Sequence, residues 1–331
     1  MYLAAKRREI LPGMFLFLIL FVFPSTGYTQ GNFSGYIMGY YNHNISSDGP
    51  ETNGKYNETI LKRIYLHYDY DISDRFETRL TIESNQKNIG TSGKYEPYIK
   101  FAFLRWKKFI PRGDLLIGLS QSPVWANEEN LWNYWSVEKT LFDTRDLGNP
   151  CDIGIALKGK FDKSEIWGYH IMAGHGNGYK PENDKYKKFY CSLSAAPKKY
   201  LFFELVTDYE KKNSSDAAKT FKCFAAFMQP GWLVGVETGR RYDEHQKDIV
   251  RQGISLFGRT KLSRQLNVLA RFDDFNWDKD KNETGDRLWL LGIDYHPHNQ
   301  VRFIPNIWIK SYKDTKLDTD IIGRLTVHFI F

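Results

Sequence analysis

The sequence predicts an all-β fold: a transmembrane antiparallel β-barrel of about 16 strands, with a long third external loop folded into its interior. Three observations predict it. Apolar and polar residues alternate with period two over most of the chain after residue 30. Short turns and longer polar loops follow one another at nearly even spacing. The chain ends on Phe331, with Phe329, Val327 and Leu325 at every second place before it.

Residues 1–29 read as a secretory leader. Lys6, Arg7 and Arg8 form a positive start, and residues 14–23 (MFLFLILFVF) are ten apolar residues in a row. Pro24 breaks the run, and Ser25, Thr26 and Gly27 follow. Ten residues are too few to cross a bilayer as a helix. No cysteine lies near the expected cut, which argues against a lipid-anchored product. Residues 30–331 are then a single domain, the barrel.

The strands show in the alternation. Along 75–85 (RFETRLTIESN), Phe76, Thr78, Leu80 and Ile82 fall on one face, and Glu77, Arg79, Thr81 and Glu83 on the other. At the end of the chain, Ile321, Gly323, Leu325, Val327, Phe329 and Phe331 oppose Arg324, Thr326 and His328. Short turns fall at Ser73-Asp74, Pro111-Arg112-Gly113, Asp162-Lys163, Pro197-Lys198, Pro230-Gly231, Ser263-Arg264 and Pro297-His298. Markers at Asp74, Arg112, Lys163, Lys198, Pro230, Arg264 and His298 stand 38, 51, 35, 32, 34 and 34 residues apart. Polar loops sit between them, at 44–57, 87–96, 174–187, 211–218, 242–249, 278–285 and 313–318. Short turns on one side, long loops on the other and strands of about 10 residues are how barrels cross membranes. No backbone edge is tolerated in lipid, so the sheet must close.

One step is 51 residues, and its excess lies in 121–150. This stretch carries Trp125, Glu128, Glu129, Trp132, Tyr134, Trp135, Glu138, Lys139, Asp143, Arg145 and Asp146. So many large rings need something to pack against. Folding inward to narrow the pore satisfies them, with Glu128, Glu129, Trp132, Trp135, Glu138, Lys139, Asp143 and Arg145 as constriction residues. A cap lying over the barrel mouth is the alternative.

If the oily face meets lipid, the other face lines water. The alternation places Arg63, Arg79, Arg105, Lys107, Lys158, Lys160, Lys222, Arg241, Arg259, Lys261, Arg271, Arg302, Lys310 and Arg324 inward. It also places Asp69, Glu77, Glu83, Asp152, Glu204, Asp208, Glu237, Asp273 and Asp294 inward. A soluble core would reject such charges. The basic excess implies a weak preference for anions, unless the charges neutralise one another.

Composition agrees. Aromatic residues reach 16%, with 21 Tyr, 23 Phe and 9 Trp, a load that suits strands and membrane–water boundaries. A mean hydropathy of −0.51 argues against a helical membrane protein. The net charge of +7 is mixed along the chain, with no Lys/Arg block to engage nucleic acid. Cys151, Cys191 and Cys223 form no metal-binding spacing and read as small apolar strand residues, with one disulfide as the alternative. Gly174-His175-Gly176-Asn177-Gly178 opens no helix, so it is a loop rather than a phosphate cradle. Asp278, Asp280 and Asn282 imitate the start of a calcium loop, but Glu283 and Trp289 stand where it needs glycine and glutamate. No cofactor and no metal site are expected.

The terminal pattern around Phe329 and Phe331 looks like the signal that the outer-membrane barrel-assembly machinery reads. Segments 61–81 (LKRIYLHYDYDISDRFETRLT), 98–107 (YIKFAFLRWK) and 132–161 (WNYWSVEKTLFDTRDLGNPCDIGIALKGKF) resemble the phosphate-selective porin O/P-like group. The resemblance covers the first half better than the second. It implies a sixteen-stranded barrel of the bacterial outer membrane, often a homotrimer, passing small hydrophilic solutes or anions by diffusion. Its partners would be membrane lipid and the solutes themselves. Three other readings stand beside it: a non-channel barrel acting as an adhesin or structural protein, a barrel enzyme, and a soluble secreted β-protein. The enzyme would need a nucleophile with a base, and Ser192 and Ser194 show no evident histidine at matching height.

Overall fold

The computed structural model describes residues 31–331, apart from 47–48, 53–54, 87–88 and 245–247. The leader expected at 1–29 lies outside the described residues. Sixteen strands follow in order: β1 (Asn32–Ser46), β2 (Asn57–Ser73), β3 (Phe76–Asn85), β4 (Tyr98–Ile110), β5 (Gly113–Gln121), β6 (Cys151–Lys160), β7 (Trp167–Gly174) and β8 (Lys188–Lys198). The second half holds β9 (Leu201–Lys211), β10 (Ala217–Gln229), β11 (Trp232–Glu244), β12 (Ile249–Lys261), β13 (Leu266–Asn276), β14 (Gly285–His298), β15 (Val301–Tyr312) and β16 (Asp320–Ile330). Two short helices, α1 (Ala126–Trp132) and α2 (Leu141–Thr144), lie between β5 and β6. Each strand pairs with its sequence neighbours, and β1 pairs with β16, so the barrel is closed.

The alternation read from the sequence becomes the two faces of the wall. In β14, Trp289, Leu291, Ile293 and Tyr295 are exposed, while Asp286, Leu288, Leu290 and Asp294 are buried. Exposed apolar residues recur on every flank, among them Ile155, Leu205, Leu256 and Leu325. This greasy exterior needs lipid rather than water around it. Rings gather near the short-turn end, where Trp106, Trp167, Trp232, Tyr295 and Phe303 face outward, as in an aromatic girdle. The three cysteines are free, in β6, β8 and β10.

Turn chemistry explains the short end. Pro230-Gly231 alone links β10 to β11, with Gly231 at φ 93. A type II turn favours proline first and needs positive φ at the next residue, where glycine serves. Two turns differ from the sequence reading. Pro197-Lys198 and Pro297-His298 belong to strands, and the turns fall at Lys199-Tyr200 and Asn299-Gln300. In both strands the ladder shifts register there, between Ala195 and Lys198 and between Tyr295 and His298. A proline with no N–H to give is tolerated at such an irregularity.

The seam is tight. Gly35 and Phe331 exchange two backbone hydrogen bonds of 2.9 Å. A Cβ on Gly35 would stand 2.3 Å from the carbonyl of Tyr65 and 2.6 Å from the Phe331 ring. Gly35→Val is therefore expected to destabilise the folded barrel by about 1–3 kcal/mol. The check is the urea midpoint of unfolding from lipid vesicles, which should fall while an outward change such as Ile155→Val leaves it nearly unmoved.

Candidate channel constriction

Residues 122–150 leave the top of β5 and fold into the barrel. Their contacts fix this, because they reach the inner faces of strands around most of the circumference. On the way down, Asn127 donates to Glu204 of β9 at 2.8 Å, and Glu128 pairs with Lys222 of β10 at 2.6 Å. At the lowest point, Tyr134 donates to Asp294 of β14 at 2.9 Å, and Arg302 of β15 donates to the Asn133 carbonyl at 3.2 Å. The Trp135 ring lies against Tyr36 of β1 and His328 of β16, with centroids 4.9 and 5.6 Å apart. On the return, Arg271 of β13 donates to the Lys139 carbonyl, and the Leu141 N–H donates to Glu237 of β11 at 2.9 Å. Arg145 then pairs with Asp286 of β14, and Arg241 of β11 donates to the Leu147 carbonyl at 3.0 Å.

Apolar burial adds to these bonds. Trp132, Tyr134 and Val137 pack among Phe257, Leu269, Leu288, Leu290 and Ile304 of the inner wall. Val124, Trp125, Leu141, Phe142 and Leu147 pack with Leu116, Met172 and Phe275. Leu141 and Phe142 are fully buried, worth roughly 2 kcal/mol each. Glycine makes the room: a Cβ on Gly239 would lie 2.7 Å from Phe142, and one on Gly253 would lie 3.0 Å from Leu141. The inner wall of β10–β16 is thus largely dry where the loop covers it, which differs from the uniformly wet lumen read from alternation. The signal was present in strands apolar on both faces, such as Leu288-Trp289-Leu290-Leu291.

The wall residues singled out in the sequence all sit on the inner face. Arg63 lies 3.1 Å from Glu83, Arg79 makes bonds of 2.6 and 2.9 Å with Asp69, and Arg105 joins Glu77 and Asp114 at 2.9 and 2.5 Å. Arg271 is held by Asp273 at 2.7 Å. Arg324 donates to Asn42 at 2.8 Å and to the Val137 carbonyl at 3.3 Å. Lys160 donates to the Glu165 carbonyl at 3.0 Å, whereas Lys158 and Arg259 have no ion pair within 4 Å among the described residues.

The loop residues divide into two sets. Glu128, Trp132 and Arg145 point at the wall. Glu128 is fully buried beside Lys222, which also lies 3.7 Å from Glu237. Trp132 donates its indole N–H to the Glu138 carbonyl at 2.8 Å. Glu129 and Asp143 lie within electrostatic reach of Arg63 and Lys100 on the far wall. Asp143 also pairs with Lys139 at 2.7 Å.

Two cations facing the loop escape strict alternation, Lys62 and Lys100. Lys62 donates to the carbonyls of Ser136 and Val137 at 3.2 Å each, and Lys100 lies 3.4 Å from Glu83. Both sit at register shifts, opposite Met38/Tyr40 and Thr81/Ile82. A bulge inserts one residue and re-aims its side chain. The readable signal is cost, since a lysine facing lipid at mid-membrane is worth about 2–4 kcal/mol against the fold.

One pairing corrects the sequence reading of Ser192. His170 stands directly opposite it in the β7–β8 ladder. The hydroxyl nevertheless donates to Glu204, and the His170 Nε2 is buried without a partner among the described residues. A nucleophile needs its proton taken by the base, and here it is committed to a carboxylate. Ser194 faces Gly168.

No protein-family model matches the chain, and a comparison with curated proteins gives no match. Solved structures do match. The outer-membrane channel DcaP of Acinetobacter baumannii superposes with a TM-score of 0.70 at 13% identity, covering 93% of this chain and 99% of that one. The anion-selective porin of Comamonas acidovorans gives 0.68 at 9% identity, covering 91% and 99%. In-vitro folded OmpT of Vibrio cholerae, in its trimer form, gives 0.63 at 13% identity, again covering 91% and 99%. The chain therefore has the sixteen-stranded barrel fold of bacterial outer-membrane porins.

Proposed function

We propose that the protein is an outer-membrane porin, a water-filled channel through which small hydrophilic solutes diffuse. The observation that carries this reading is the third loop, inserted into the barrel and pinned to its wall. A loop so placed leaves charged groups facing each other across the remaining space. Arg63 and Lys100 stand on the wall, and Glu129 and Asp143 on the loop. Opposed rows of charge set a transverse field that selects and orients polar solutes. The fold shared with a solved channel and an anion-selective porin supports the same reading.

The inner charges are mostly paired, so selectivity rests on those left over. Lys62, Lys158, Lys160, Arg259, Lys261 and Arg324 have no ion-pair partner among the described residues, and four of them, Lys158, Lys160, Arg259 and Lys261, lie toward the short-turn end. Glu129 and Glu138 on the loop and Glu204 on β9 lie without one. This balance supports a weak preference for anions and general rather than specific transport. The kinship with phosphate-selective porins rests on the three sequence segments alone, and the acidic loop does not favour phosphate over other anions. A homotrimer and recognition of the terminal Phe329 and Phe331 by assembly machinery complete the proposal.

Planar-bilayer recording tests it. The refolded protein should give reproducible current steps, with a reversal potential in a KCl gradient displaced slightly toward chloride. Replacing Arg259 and Lys261 by serine should move the permeability ratio toward potassium, by up to about fivefold per removed charge if each acts at contact distance in water. Glu129→Gln should move it the opposite way. Absence of conductance from correctly folded barrels would defeat the channel reading.

A second expectation concerns the pin. Lys222→Met leaves Glu128 and Glu237 buried without their cation, a loss of about 3–5 kcal/mol. The wall ladder does not depend on this lysine, so the barrel should still assemble. Single-channel traces of the variant should then show larger, noisier steps than the wild type.

A further inference from the structure

The outer surface carries two grooves that play no part in the passage. One, of about 590 Å³, lies toward the long-loop end of β10–β13, with Phe221, Arg240, Gln252, Ile254 and Lys313 in its lining. The other, of about 560 Å³, lies nearer mid-wall on β11–β15, lined by Val234, Leu256, Phe272, Trp289 and Ile309. Ile254 and Leu256 are consecutive outward positions of β12, about 7 Å apart along a strand. The grooves therefore adjoin as a track, mixed polar and apolar at the loop end and apolar below. Gly258 and Ala270 keep the apolar floor low.

The head of the track is electropositive. Arg240 is exposed and has no ion pair or hydrogen bond among the described residues. Beside it, Lys313 and Arg287 share the single carboxylate of Asp274, at 2.6 and 2.8 Å. Three cations against one anion, on the lipid-facing side, call for a negatively charged occupant. The groove below calls for an apolar chain. A free anion would use only the head and leave the apolar groove below it unfilled.

We propose that this track binds an anionic, phosphate-bearing lipid of the surrounding leaflet, with a phosphate at Arg240 and Lys313 and one acyl chain lying over Gly258 and Ala270.

Trp289 reports on occupancy. Its fluorescence, isolated as the difference between the wild type and Trp289→Phe, is measured in phosphatidylcholine vesicles doped with brominated-chain lipid. Brominated phosphatidylglycerol should quench it at about fivefold lower mole fraction than brominated phosphatidylcholine. Arg240→Gln should abolish that difference, and Gly258→Leu should weaken quenching by both lipids. Inorganic phosphate should leave the quenching unchanged. Equal quenching by both lipids in the wild type, a preference that survives Arg240→Gln, or displacement by inorganic phosphate would each overturn the proposal.

Discussion

Everything in this molecule depends on one constraint: in hydrocarbon, every backbone N–H and C=O must find a partner inside the protein. Sixteen strands meet it only because β16 returns to β1, with Tyr36 through Ser46 paired against Ile330 through Ile321. Closure fixes what each face can carry. Outward positions at mid-membrane must be apolar, as Ile155, Leu256 and Leu325 are. Inward positions are relieved of that demand and can hold Arg63, Glu83, Lys222 and Arg271. The inside would be a plain charged tube if the third loop did not enter it.

The loop turns the tube into a divided space. On one side, α1 and α2 lay their rings against β10–β16 and exclude water. There the remaining charges are buried as pairs, such as Lys222 with Glu128 and Arg145 with Asp286. On the other side, the loop presents Glu129 and Asp143 toward Arg63 and Lys100. Packing and electrostatics are thus separated by side of the loop. Because the pinning runs through carbonyls as well as side chains, as in Lys62 with Ser136 and Arg324 with Val137, the loop's backbone is held and not only its rings.

Much of this was legible in the sequence, for physical reasons. Period-two alternation survives because lipid and water impose it residue by residue, so the strands and the inward set from Arg79 to Arg324 were readable. The loop was readable because rings such as Trp125 and Trp132 cannot stay unpacked. What escaped depends on local geometry. Bulges carry no compositional mark, so alternation does not place Lys62 and Lys100, and a proline such as Pro197 or Pro297 marks a strand end as readily as a turn. The dry half of the lumen escaped because alternation says which side a residue takes, not what will cover it. The His170–Ser192 juxtaposition needed the register itself, and only the hydroxyl's bond to Glu204 gave it meaning.

The central claim is that the third loop rests inside the barrel against β9–β16. A disulfide test addresses it directly, in a protein whose Cys151, Cys191 and Cys223 are replaced by serine. Asn127→Cys on the loop and Glu204→Cys on β9 occupy positions now joined by a hydrogen bond. A short-spacer bis-methanethiosulfonate, which forms a disulfide with each thiol and spans the gap left by the two shortened side chains, should join them nearly completely in the membrane-inserted double variant. If the thiols stay free, and Asn127→Cys instead reacts with a bulky impermeant maleimide added from outside, the loop lies over the mouth and the constriction does not exist.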